Sequence, residues 1–191
     1  LNKNNLDYRT AFGLALGRAQ ETERAVEVLQ SVVSSPGYKG TDAWINLGYV
    51  LRVMGRGPEA VDAYQKAVTL DAKSAPAAYG LALALVQAKR WDDAVPALRR
   101  ATELDPNVKA DALVRIARCL IEKVKETKSK DVAAAEAAYN DAVAVAGADN
   151  ETLVAIKQNI DAIKKFGAAG TGGGPEPEII DVSRWARCVM N

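Results

Sequence analysis

An arrangement of about 34 residues recurs four times in this 191-residue chain, in units beginning near Leu6, Thr41, Ala75 and Ala110. The eighth place of each unit holds a small residue, Gly13, Gly48, Ala82 or Ala117, flanked by Phe12, Leu47, Leu81 or Ile116 before it and by Leu16, Leu51, Leu85 or Leu120 three places later. The second half of each unit carries Ala25, Ala60, Ala94 and Ala135, then Leu29, Tyr64, Leu98 and Tyr139 four residues on, then Val32, Ala67, Ala101 and Ala142. Spacings of three and four are those of one helix face, so each unit predicts a pair of helices. A pair of this size cannot bury its own apolar stripe. Two helices approach closely only where Gly or Ala removes bulk, and stacking one pair on the next completes the core.

Composition agrees with helix and narrows the chemistry. The chain is 49% hydrophobic but only 6% aromatic, and its β-branched residues do not alternate in runs, which argues against strands. Lys and Arg number 25 against 24 Asp and Glu, so nothing in the charge balance calls for a nucleic-acid partner. There is no histidine, which removes Ser-His-Asp and Cys-His arrangements and the usual zinc motifs. No cofactor and no metal set is implied. Cys119 stands in an apolar helical pattern far from Cys188, as a small core residue would. No apolar run approaches the roughly 20 residues of a membrane span. The chain opens at Leu1, as a processed or excised piece would. A soluble protein is expected, cytoplasmic or periplasmic, with the compartment left open.

Turn chemistry marks the unit boundaries. Gly55 to Pro58 separates the two helices of the second unit, with Pro58 in the first turn of the next helix, and Asp105-Pro106 closes the third. Asp92 and Asp93 precede an outer helix and read as N-terminal capping and dipole charges. After the fourth unit, Leu153, Ile156, Ile160 and Ile163 share one face of a helix that would cap the array, with Gly167 as its C-cap. GAAGTGGGPEPE then reads as a flexible linker, since its glycines lack the Lys and Ser/Thr of a phosphate loop.

At these positions the chain resembles the tetratricopeptide repeat family, most closely in the second unit through Trp44, Leu47, Gly48, Leu51, Ala60, Tyr64 and Ala67, and in the third through Leu81, Ala82, Ala94, Leu98, Ala101 and Pro106. Arg9 departs from the family's aromatic in the first unit, and the fourth carries about six extra residues around EKVKETKSKD. The resemblance implies an all-α, right-handed solenoid of about four helix-turn-helix repeats. They would span 6–40, 41–74, 75–109 and 110–149, followed by a capping helix at 150–166, a linker at 167–178 and an amphipathic tail at 179–191. The basic run Lys123 to Lys130 is a solvated helix extension or a docking knob for an acidic partner.

The resemblance also implies a concave face lined by the second, fifth, ninth and twelfth places of each unit. Carried over, these include Leu14; Ile45, Tyr49 and Arg52; Tyr79, Leu83 and Val86; and Val114, Arg118 and Ile121, with Thr10 and Gly17 in the first unit. The strip of aliphatic and aromatic residues bordered by arginines suits a peptide with apolar anchors and an acid or two. The Lys of the carboxylate-clamp members is lacking, since Thr10, Ile45 and Tyr79 hold the fifth places. The expected role is a non-enzymatic scaffold or adaptor for a protein or peptide partner. Two alternatives stay open: a self-assembling structural protein, and an accessory subunit of an enzyme. For the first, Ile179, Ile180, Val182, Trp185 and Val189 of the tail would dock in the chain's own groove or a neighbour's, giving a homo-oligomer.

Overall fold

The structure, a computed structural model, describes residues 5–168, without the side chains of 166–168. The predicted tail residues Ile179, Ile180, Val182, Trp185 and Val189 lie outside the described residues, as do all but the first two residues of the predicted linker. Among the described residues every regular element is helical. They divide into two compact units, Leu1–Pro106 and Asn107–Asn191.

The first unit holds α1 (Leu6–Arg18), α2 (Thr22–Val33), α3 (Asp42–Val53), α4 (Gly57–Leu70), α5 (Ala75–Gln87) and α6 (Trp91–Leu104). Each odd-numbered helix pairs with the next, α2 packs on α3, and α4 packs on α5. α3 also touches α1 and α5 directly. The recurrent small residues explain the closeness. A Cβ on Gly13 would lie 2.6 Å from Leu29 Cγ, and one on Gly48 2.7 Å from the Tyr64 ring. Tyr64 is held from its other side by α5, where a Cβ on Gly80 would come within 2.1 Å of the ring. Ala25, Leu29, Val32, Ala60, Ala67, Ala94, Leu98 and Ala101 are completely buried, as the repeated face requires. Each fully buried Leu or Val contributes roughly 1.5–3 kcal/mol.

Four turns share one backbone device. Gln20, Gly55, Lys89 and Lys128 all adopt positive φ, at 63°, 77°, 57° and 51°. The amide after each donates back across the helix end, from Glu21 to the Leu16 carbonyl, Arg56 to Leu51, Arg90 to Leu85 and Ser129 to Val124. These are Schellman closures, which satisfy carbonyls the helix itself leaves open. Only one of the four uses glycine.

Helix starts are satisfied unevenly. Asn5 and Ser74 cap α1 and α5 through their side chains. α6 has no side-chain cap: Asp92 and Asp93 sit within its first turn, and Asp93 pairs with Arg90 at 2.7 Å. The expected aspartate cap is thus replaced by charges that favour the positive helix end. At α3 the hydroxyl of Tyr38, four residues upstream of the helix, accepts from the Ala43 amide at 2.9 Å.

The second unit holds α7 (Lys109–Glu126), α8 (Ala133–Ala146) and α9 (Glu151–Ala168), each in contact with the other two. The extra residues of the fourth repeat lengthen α7. Its positive-φ residue Lys128 stands 18 places after Ala110, against 14 for Gln20 after Leu6, so four residues extend the helix. Ala135 then follows Lys128 by seven places rather than five, so the other two lie in the loop. The Lys123–Lys130 run accordingly begins as helix, with Lys125 pairing half-buried Glu122 at 3.1 Å. Leu153, Ile156 and Ile160 are buried on α9, and Lys164 reaches Glu136 of α8. α9 runs to Ala168, so Gly167 is inside the helix rather than its cap, and the first two residues of the segment expected as linker are helical.

Candidate functional site

Seven of the first unit's predicted groove residues are half-buried: Leu14 on α1, Ile45, Tyr49 and Arg52 on α3, and Tyr79, Leu83 and Val86 on α5. Spacings of four and three keep the trios of α3 and α5 each on one face of its helix. Three of the predicted inner positions depart from this. Thr10 is 7% exposed and turns its hydroxyl to the Leu6 carbonyl at 2.8 Å. Gly17 is buried because Val50 of α3 occupies the space a Cβ would need, 2.6 Å away. Ile121 is 1% exposed, in the core of the second unit. Val114 and Arg118, also on α7, are half-buried within that second unit.

A cleft of about 700 Å³ opens at the N-terminal ends of α1, α3 and α5. Leu14 and Ile45 line it, together with Leu6 and Pro76, and the loop Gly37–Gly40 closes one side. Of the predicted inner positions named above, the cleft brings in Leu14, Ile45 and the buried Thr10. Its rim carries the carboxylates of Asp7 and Asp42 against the ammonium of Lys39. The loop's own residue Tyr38 is the part that sequence reasoning missed. Its hydroxyl is spent on the α3 amide, and Gly40 is small because a Cβ there would meet that hydroxyl at 2.7 Å. An aromatic residue inside a Gly-Tyr-Lys-Gly turn was the available signal.

Further along α3, Arg52 marks the other end of the strip. Its guanidinium carbon lies 5.9 Å from the centroid of the Tyr49 ring, within cation–π range. Its backbone carbonyl accepts from Gln87 Nε2 at 3.0 Å, tying α3 to the end of α5. Arg52 Nε is buried with no hydrogen-bond partner among the described residues. Burial pushes the Tyr64 hydroxyl above its usual pKa, and the nearby Arg52 cation, in hydrogen-bonding reach, partly offsets this. The arrangement is therefore an apolar strip with carboxylates at one end and a guanidinium at the other.

Cys119 offers no comparable chemistry. It is fully buried, and desolvation pushes its thiol up to about 11, with Arg118 and Arg115 opposing only weakly. A nucleophilic thiol needs the reverse shift and access to solvent. Among the described residues no group of three or more His, Cys, Asp or Glu side chains is placed to hold a metal ion, and no helix is long and apolar enough to cross a membrane.

Two family models described as tetratricopeptide repeat match residues 10–76 and 51–113, which together cover the first unit's repeats and the boundary beyond them. The chain belongs to the tetratricopeptide repeat family, and its architecture is that family's all-α solenoid. Among solved structures it is similar to MamA MSR-1, at 17% identity over 96% of this chain and 95% of that one, with a TM-score of 0.64. MamA 41-end from Desulfovibrio magneticus RS-1 matches at 20% identity over 78% and 80% of the two chains, with a TM-score of 0.62. YrrB, described as a TPR protein with an unusual peptide-binding site, matches at 22% identity over 86% and 89%, with a TM-score of 0.58. No curated protein matches it in sequence.

Proposed function

We propose that this chain is a non-enzymatic protein–protein interaction module, and that the strip on α1, α3 and α5 of the first unit receives a short peptide or helix. The observation that carries the reading is the continuity of half-buried Leu14, Ile45, Tyr49, Tyr79, Leu83 and Val86 between a charged cleft and Arg52. Half-buried apolar side chains in a row gain by burying the rest of their surface against a partner. The unpaired Nε of Arg52 gains by meeting an acceptor. A peptide with aliphatic or aromatic anchors, a basic group toward Asp42 and an acid toward Arg52 satisfies all of these at once. The fold likeness to YrrB, whose description names a peptide-binding site, supports the same class of role. Val114 and Arg118 belong to the second unit and are proposed only as a separate, smaller contact region.

Three anchors at about 2 kcal/mol each give about 6 kcal/mol, which less the ordering cost corresponds to an affinity between tens of micromolar and about 1 mM. The test is a peptide library selected on the intact chain, with the recovered peptides then titrated against wild type and Tyr49→Ala plus Tyr79→Ala. Loss of two aromatic anchors is expected to weaken binding by about thirtyfold or more. Equal affinity for both proteins overturns the assignment.

A further inference from the structure

The first helix leaves bare a face that its counterparts bury. At the third, seventh and tenth places of the repeat, α3 carries Ala43, Leu47 and Val50, and α5 carries Ala77, Leu81 and Ala84, all at most 9% exposed. The preceding helix pair covers those places, α1 and α2 against α3, and α3 and α4 against α5. In α1 the same places hold Tyr8, Phe12 and Ala15. Tyr8 and Phe12 are 41% and 40% exposed, with rings parallel to within 1° and centroids 6.4 Å apart. Ala11, Ala15 and Ala19 are exposed beside them. At 100° per residue all five fall within about 100° of arc, and no charged residue interrupts the stripe.

The stripe is sorted by size and by charge. Its N-terminal half has the two rings and its C-terminal half has Ala15 and Ala19. Two copies of α1 laid antiparallel set Tyr8 of each over Ala19 of the other, and Phe12 over Ala15, so large fills small twice. The same alignment brings exposed Asp7 of one copy beside exposed Arg18 of the other, since both lie on one flank of the stripe. A parallel pairing would instead set ring against ring and leave Asp7 and Arg18 of the two copies on opposite sides of the seam. We infer that the outward face of α1 is a two-fold self-association surface, and that its occupant is α1 of a second copy of this chain. Such an interface is isologous and closes on itself as a dimer. It does not rest on the groove reading: its two rings, Tyr8 and Phe12, lie about 120° and 160° around α1 from Leu14, and only Ala11 at its near edge also lines the cleft.

One face of a single helix falls far short of the roughly 800 Å² per partner of a standard interface, so the dimer is expected to form near about 0.1 mM rather than at nanomolar concentration. Sedimentation velocity of the full chain from about 1 µM to 1 mM tests this. The expected result is a monomer–dimer equilibrium that Phe12→Glu abolishes while far-UV circular dichroism stays unchanged. Arg18→Asp is expected to weaken association about tenfold, and Asp7→Arg added to Arg18→Asp to restore it. If Phe12→Glu disturbs folding, Ala15→Arg replaces it in the same measurement. A chain that stays monomeric throughout overturns the inference. So does association that survives both substitutions, including association lost only on deleting residues 175–191. Peptide binding that depends on Tyr49 and Tyr79 stands or falls independently.

Discussion

Gly80→Ala isolates the energetic logic of the first unit, because the local and the packing effects have opposite signs. In an exposed helix the change would stabilise by about 1 kcal/mol through backbone propensity. Here the new Cβ would sit 2.1 Å from Cε1, 2.5 Å from Cζ and 2.6 Å from Cδ1 of Tyr64. Ordinary carbon contacts lie near 3.5–4.0 Å, so roughly 1.5 Å must be found somewhere. The ring cannot swing away, since the Gly48 backbone closes its opposite face, where even a Cβ would be only 2.7 Å distant. α5 must then move off α4. Overpacking of this kind costs typically 1–3 kcal/mol and at this clash the upper end or beyond, which leaves a net destabilisation of about 2 kcal/mol after the propensity gain. For a unit of this size that lowers the melting temperature on the order of 10 °C, read by far-UV circular dichroism. Tyr64→Leu, which places there the residue that Leu29 and Leu98 supply in the neighbouring repeats, is expected to make Gly80→Ala nearly harmless in the double variant. A Gly80→Ala protein as stable as wild type would refute the clamp around Tyr64.

Two further predictions concern the turns and the buried thiol. Gln20→Gly and Lys89→Gly, both at positive φ where Gly55 already stands, are each expected to stabilise by about 0.5–1 kcal/mol, seen as a higher urea midpoint with unchanged slope. For Cys119 the sign follows from its raised folded-state pKa. Its contribution is intact below the unfolded value near 9 and is lost as pH rises toward about 11, on the order of 2–3 kcal/mol in all. Cys119→Val is expected to flatten the fall in stability between pH 8 and pH 10.5, and an equally steep fall in that variant would contradict the assignment.

The repeat could be read from the chain because its determinants are local and periodic. Ala25, Ala60 and Ala94 stand at equivalent places and are all completely buried, and the spacing alone located them. What the spacing did not carry was context. Phe12 occupies the place of Leu47 and Leu81, yet it is 40% exposed because, among the described residues, no helix pair precedes α1. Periodicity assigns a face without saying whether anything covers it. The candidate site divides in the same way. Most of the named positions expected to face inward are half-buried. Thr10 and Gly17 escaped the rule because a side-chain bond and a close helix approach each act across the register, and Ile121 is buried in the core of the second unit. Tyr38 escaped because its role depends on a loop folding back onto the next helix, which has no signature in apolar spacing.

The size of the insertion in α7 limits how this repeat can vary. Four added residues advance the helix by about 6 Å and turn it by only about 40° beyond a full revolution, so the closing turn after Lys125 keeps nearly its former heading. Two added residues would have swung that exit by about 200° and sent the chain away from the partner helix. Growth at this site is therefore quantised. It proceeds in near-whole revolutions, with a short loop taking up the leftover displacement, and intermediate lengths would have to rebuild the seam between α7 and α8.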